Sequence, residues 1–408
     1  MKPAGVLVWV LVGLLTQAAT ITITNETLPK APPRPGQTAA PAPDAAASSW
    51  VGTINRLRSA KRLAPVALDP VVSDGARRQA EMISRLPAAQ LKNLPSRLLL
   101  EKLWEAGTFD GNPTWRVLSQ DSDTGQGPGA GFQLGTGLEG DISHIGVGSI
   151  VRNGVRWTVI SAVKRRVTLS GYHLGTYKPF ERLWLRGRAM PGFENPRLVL
   201  TRPNGKVSEI PLALVGDHFE YLLELDEAKG RYMLEIMIDS RWGPSVASLF
   251  PVDVGGAYQA PPIAASDDQR LSLPELRERM LTLINADRKR FNLPPVRLND
   301  RLTVMAQGHS EDMKQHGFFA HVSPQTGDLG DRAKAANIAP SMALGENIAV
   351  AGSLSEAEEG LMASPAHRGM ILDAQMTVVG LGITSAGAKG RESAKYWITQ
   401  NYGEHAPE

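Results

Sequence analysis

Five of the eight histidines in this 408-residue chain, His309, His316, His321, His367 and His405, fall in its C-terminal quarter, and His144 stands alone in the first 167 residues. Two of the five sit in distinctive runs, Phe318-Phe319-Ala320-His321-Val322-Ser323-Pro324 and Ser364-Pro365-Ala366-His367-Arg368, and Gly345-Glu346-Asn347-Ile348-Ala349 lies between them. Neutral imidazoles and a carboxylate are good ligands for a divalent cation such as zinc, and three protein ligands leave a position open for water. Without metal the same groups act as general acids and bases. A Glu hydrogen-bonded to two His is also a stable network that shapes a cleft and does no chemistry. Cys is 0, which excludes disulfides, thiolate metal sites and cysteine nucleophiles. No G-x-S-x-G elbow and no H-E-x-x-H helix is present, so the usual serine and zinc hydrolase signatures are missing. Ser323 and Ser364, each beside a proline, read as turn residues. His316 and His405 read as solvent-facing, and His309, on a helix predicted over 302–316, as a satisfied surface or core residue with the cleft as the alternative.

The elements around these residues carry a resemblance. The runs HSEDM, FFAHVSP, GENIA, SPAHR followed by MIL, VVGLGI and YWITQNYG resemble, in order, the bacterial SCP-like branch of the CAP superfamily (cysteine-rich secretory proteins, antigen 5 and pathogenesis-related 1) over about Leu271 to Gly403. The resemblance implies an α-β-α sandwich whose cleft holds two His and, in many members, two Glu. It places His321 and His367 on the paired histidines and Glu346 on the Glu of the GEN motif, with Asn347 and Ser364 lining the cleft. The second Glu follows a Trp by three residues in the family; here those positions are Leu361 and Ser364, so the tetrad becomes a triad. Glu358 and Glu359 are alternative carboxylates that the spacing does not assign.

Upstream, the pattern repeats. A shift of 230 residues carries Ile54-Asn55 onto Ile284-Asn285, Arg58 onto Arg288, Leu63 onto Leu293, Pro65-Val66 onto Pro295-Val296 and Ala76 onto Ala306 without a gap. Ile145-Gly146-Val147-Gly148 corresponds to Val379-Gly380-Leu381-Gly382, and Trp157 to Trp397. An ungapped run that keeps apolar periodicity marks an internal repeat. Between the copies, short runs of period two at intervals of roughly ten residues, with turns such as Pro203-Asn204-Gly205, predict an immunoglobulin-like sandwich. Arg152-Asn153-Gly154 between apolar runs predicts a hairpin in the first copy. The expected fold class is therefore α+β: two CAP-like α-β-α sandwiches, the N-terminal one degenerate, flanking an all-β immunoglobulin-like sandwich.

The expected organisation is a signal peptide at 1–19, a Pro/Ala-rich linker at 20–49, a degenerate CAP-like domain at 50–167, a β-sandwich at 168–253, a linker at 254–270 and a CAP domain at 271–408. Lys2, the apolar run Val6 to Leu15 and Thr16-Gln17-Ala18-Ala19 have the order of a cleavable export signal, an uncleaved anchor being the alternative. Export without cysteine suggests a bacterial envelope protein, secreted or periplasmic. Lys+Arg 44 against Asp+Glu 41 leaves a net charge of +3 with no basic-aromatic run, which argues against nucleic acid. The function expected is binding of an envelope ligand (lipid, peptide or glycan) in the His/Glu cleft, with a divalent cation such as zinc at His321, Glu346 and His367. The alternative is an extracytoplasmic metal-assisted hydrolase acting on a peptide or envelope polymer, with the same three residues as its catalytic groups.

Overall fold

The computed structural model of the chain describes residues 45–87, 96–121, 127–128, 132–226, 228–240, 243–258, 268–338, 342–386 and 395–404. The predicted export segment, most of the 20–49 linker, residues 259–267 of the second linker and His405 lie outside the described residues. No helix among the described residues is long and apolar enough to cross a membrane.

The chain opens with α1 (Ala45–Ala60), β1 (Ala67–Leu68), α2 (Pro70–Ile83), α3 (Ser96–Ala106), β2 (Thr114–Asp121), β3 (His144–Arg152) and β4 (Val155–Val163). Asp69 caps α2, its carboxylate accepting from the Val71 and Val72 N–H groups, which are otherwise orphaned at a helix start. Asn153 and Gly154 turn β3 into β4 with φ of 52° and 74°, the left-handed pair that a two-residue hairpin needs. The sheet runs β1-β3-β4-β2, with Trp50 and Ile54 of α1 buried among Ile145, Val147 and Ile160.

Eight strands follow: β5 (Val167–Ser170), β6 (Thr176–Tyr177), β7 (Arg182–Ala189), β8 (Glu194–Thr201), β9 (Val207–Pro211), β10 (His218–Glu224), β11 (Gly230–Ser240) and β12 (Gly243–Val254). They form a three-stranded sheet, β10-β7-β5, and a five-stranded one, β6-β12-β11-β8-β9. Leu183, Leu185, Leu198, Leu200, Leu234 and Ile236 meet in their shared core. Trp104 and Phe109 join that core from the first unit. Trp104 Nε1 donates to the Leu249 carbonyl at 2.7 Å, and Asp110 bridges to Ser248.

The last unit comprises α4 (Leu273–Arg290), β13 (Arg297–Leu298), α5 (Asp300–His316), α6 (Leu329–Ala335), β14 (Leu344–Ala351), α7 (Leu354–Ala363), α8 (Pro365–Ile371), β15 (Val378–Ala386) and β16 (Lys395–Gly403). Its sheet order, β13-β15-β16-β14, is that of the first unit. Residues identical in the 230-residue register make the same bonds. Asn55 exchanges two hydrogen bonds with the Val66 backbone, and Asn285 does so with Val296. Buried Arg58 and Arg288 donate to the carbonyls of Ala64 and Pro294 and then reach the end of a later short helix, at Leu138 and Ile371.

Glycines set the helix-to-sheet distance in both units. A Cβ on Gly146 or Gly148 would lie 2.2 Å or closer to the α2 backbone at Val72–Ser73 and Arg77, and one on Gly380 or Gly382 as close to the α5 backbone at Leu302 and Ala306. Backbone cannot step aside as a side chain can. Gly382→Ala should therefore lower stability by about 3 kcal/mol through overpacking, measured by urea unfolding. Gly308→Ala on the same α5, where a Cβ meets nothing within 4 Å, should instead add about 0.5–1 kcal/mol.

Candidate functional site

Helix α5 ends at Gly317, whose left-handed φ of 70° turns the chain out of the helix. The segment that follows carries His321 past the edge strand β14. His321 Nδ1 lies 3.0 Å from Glu346 Oε1, and the imidazole side chain is 47% exposed while that of Glu346 is 3% exposed. The other carboxylate oxygen, Oε2, accepts from Arg332 Nη2 at 2.6 Å. Arg332, on α6 and 5% exposed, also donates through Nη1 to the carbonyls of His321 (3.0 Å) and Gly327 (2.8 Å). One guanidinium thus fixes both the carboxylate and the loop that presents the histidine. Burial opposes the charge of Glu346, but the His321 hydrogen bond and the Arg332 charge prevail and hold its pKa below the ordinary carboxylate value.

His309 is fully buried on α5, with Nε2 3.9 Å from Glu346 Oε1 and 3.1 Å from the Ala320 carbonyl. A carbonyl only accepts, so Nε2 carries the proton and Nδ1 a lone pair, and Nδ1 has no hydrogen-bond partner among the described residues. Burial lowers the His309 pKa. His309 therefore belongs beside Glu346 and not on the surface.

His367 approaches from α8. Its ring stacks toward that of His321 with centroids 6.4 Å apart and planes inclined by 24°. Nδ1 lies 2.7 Å from Ser364 Oγ. The residue is half-buried, and burial together with the nearby His321 lowers its pKa to about 3. Its lone pair is present at any ordinary pH.

The structure thus brings His321, Glu346 and His367 to one edge of the sheet, but in unequal roles. Both Glu346 oxygens are engaged, and among the described residues no three His, Asp or Glu side chains form a cluster able to hold a metal ion. Asn347 and Ser364, expected on the cleft wall, are buried behind His367. Asn347 Nδ2 donates to the His367 carbonyl (3.1 Å) and to Gln400 Oε1 (3.2 Å). Glu358 accepts from Gln400 Nε2, and Glu359 faces Arg97 of α3; neither joins the trio. Ser323 makes a turn, accepting from the Gln325 and Thr326 N–H groups and donating to Asp312. His316 is half-exposed and bonded to Asp312.

Residues 281–402 match the model of the cysteine-rich secretory protein family, CAP. They are a CAP domain. The chain also aligns with two curated relatives from Bacillus subtilis (strain 168). The uncharacterized protein YkwD is 31% identical over 157 residues, 37% of this chain and 58% of the relative. The uncharacterized membrane protein YlbC is 31% identical over 190 residues, 45% of this chain and 50% of the relative. The chain spans about half the length of these relatives, 58% of one and 50% of the other. A crystal structure of an extracellular protein containing an SCP domain from Bacillus anthracis str. Ames matches at 24% identity and a TM-score of 0.28, covering 46% of this chain and 64% of that one.

One member of the site escaped the sequence, and a second, His309, was read with the cleft only as the alternative. Arg332 lies in a short polar helix with no periodic mark. His309 had a signal: Leu302, Met305, Ala306, His309 and Met313 form the buried stripe of α5, and a histidine on that stripe faces the sheet.

Proposed function

We propose that the CAP domain binds a ligand at the paired imidazoles of His321 and His367, in an exported protein of the cell envelope. The observation that carries this reading is the two-sided fixing of the pair. Glu346 takes the His321 Nδ1 position and Ser364 the His367 Nδ1 position, so both Nε2 lone pairs remain for something else. That donor chemistry fits a divalent cation held by two imidazoles, with ligand or water completing its shell. A zinc ion there would polarise a bound water or carbonyl. Export rests on the Lys2 to Ala19 segment alone. We read residues 50–167 as a degenerate second CAP-like copy, supported by the shared strand order and the matched Asn, Arg and Gly positions. The intervening strands are the immunoglobulin-like spacer.

The test is metal analysis of full-length protein purified without chelator or His-tag, followed by zinc calorimetry at pH 7.5. Zinc near one equivalent, lost in His321→Ala and in His367→Ala, is expected. A wild type that neither retains nor takes up zinc would sink the metal reading, and affinity unchanged in both variants would place zinc elsewhere.

A further inference from the structure

Strand β11 runs Tyr232-Met233-Leu234-Glu235-Ile236 through the middle of the five-stranded sheet. Leu234 and Ile236 point into the sandwich core, so alternation sends Glu235 to the opposite face. A charge on an outer sheet face is normally solvated, yet Glu235 is 0% exposed. The CAP domain covers it. Glu235 Oε1 accepts from Ser364 Oγ at 2.8 Å and Oε2 from the Ala366 N–H at 3.0 Å, both at the start of α8. The β8–β9 turn adds to the same contact: a Cβ on Gly205 would lie 2.4 Å from the Phe291 ring, over which Arg368 is stacked.

The hydroxyl of Ser364 has one proton and two neighbours that compete for it. A carboxylate only accepts hydrogen bonds, so Ser364 must donate to Glu235 and accept from His367 Nδ1–H. We propose that Glu235 is a positioning residue of the CAP-domain site, contributed by the β-sandwich, which acts through Ser364 to hold His367 as its Nδ1–H tautomer with the Nε2 lone pair free. The hydroxyl lies between the His and the Glu, not at the end of the chain, and it is buried; this is not the order of a nucleophilic triad, in which the His sits between. The inference rests on the reading that His367 is a functional ligand group, and one measurement separates the two.

Histidine ring ¹⁵N NMR of the full-length protein at pH 8.5, above the value of about 7 to which burial raises Glu235, reports the tautomer without any ligand. Wild type should show His367 as Nδ1–H. Glu235→Leu frees the Ser364 proton to bond His367 Nδ1 and should convert the ring to Nε2–H, leaving His321 unchanged. Ser364→Ala removes the relay inside the CAP domain and should also shift His367 toward Nε2–H, so it decides the matter if Glu235→Leu does not fold. Retention of Nδ1–H in either folded variant overturns the proposal. If wild type binds zinc, both variants should weaken it about 10–100-fold. If wild type binds none, the metal reading fails while the tautomer still decides the role of Glu235.

Discussion

Replacing Arg332 with methionine should destabilise the protein by about 3–5 kcal/mol, the range for breaking a buried ion pair on one side. Glu346 would keep a carboxylate that is 3% exposed but lose the guanidinium 2.6 Å away, and the His321 and Gly327 carbonyls would lose their donor. That is a large share of the roughly 5–15 kcal/mol by which folded domains are stable. The sign with pH follows from Glu346. In wild type its folded pKa is depressed, so its contribution is present above the unfolded value and is lost as pH falls through the folded one. Without Arg332 burial prevails, the folded pKa rises, and the variant should be most damaged at neutral pH and less so near pH 4–5. Urea unfolding of Arg332→Met beside the Arg332→Met/Glu346→Gln double variant checks the cause. A double variant no more stable than the single one would show that the stranded charge is not what hurts.

The sequence carried the C-terminal unit because short motifs tie chemistry to place. GENIA puts Glu346 on an edge strand, and the FFAHVSP run puts His321 just past a helix end. The matches across the 230-residue shift were legible because the matched residues do structural work that tolerates little change: Asn285 pairs with the Val296 backbone, Arg288 spans three later carbonyls, and Gly380 and Gly382 admit the helix. Glu235 was illegible for a physical reason. Alternation along β11 places it on the outer face, but whether that face meets water depends on the docking of α8 from more than 120 residues away. The same limit hid Glu359, whose partner Arg97 comes from α3. Local pattern fixes which way a side chain points, whereas burial between units depends on their assembly. Glu346 shows a second limit. A motif can name the residue without its partners: Arg332, which donates to one carboxylate oxygen, comes from α6 and left no mark in the GENIA run.

Glu358 should control how stability changes above neutral pH. It is buried on α7, its Oε2 accepts from Gln400 Nε2 at 2.8 Å, and Oε1 has no partner among the described residues. Burial, reinforced by the charge of Asp287, raises its pKa to about 8, whereas an unfolded glutamate titrates near about 4.3. Between those values the folded protein keeps a proton that the unfolded chain has released, so stability falls as pH rises, by up to about 1.4 kcal/mol per pH unit for each such group. Glu235, raised to about 7 by burial, acts the same way over a lower window. His367 acts in reverse: with its pKa lowered to about 3, it stays neutral in the fold while the unfolded chain takes up a proton below about pH 6.5, so its contribution is lost as pH falls. Below that point the two kinds of group offset each other in part, and above it the glutamates act without that opposition. From pH 6.5 to 8.0 the wild type should lose about 2 kcal/mol through Glu358 alone. Glu358→Gln, which stays neutral in both states and still accepts from Gln400, should remove that part of the slope and, because the unfolded glutamate is already ionised at pH 6.5, should raise stability there by up to about 3 kcal/mol. Urea midpoints at the two pH values decide it. A variant with the wild-type slope would mean that the carboxyl ionises in place, with water or a cation reaching Oε1 in solution.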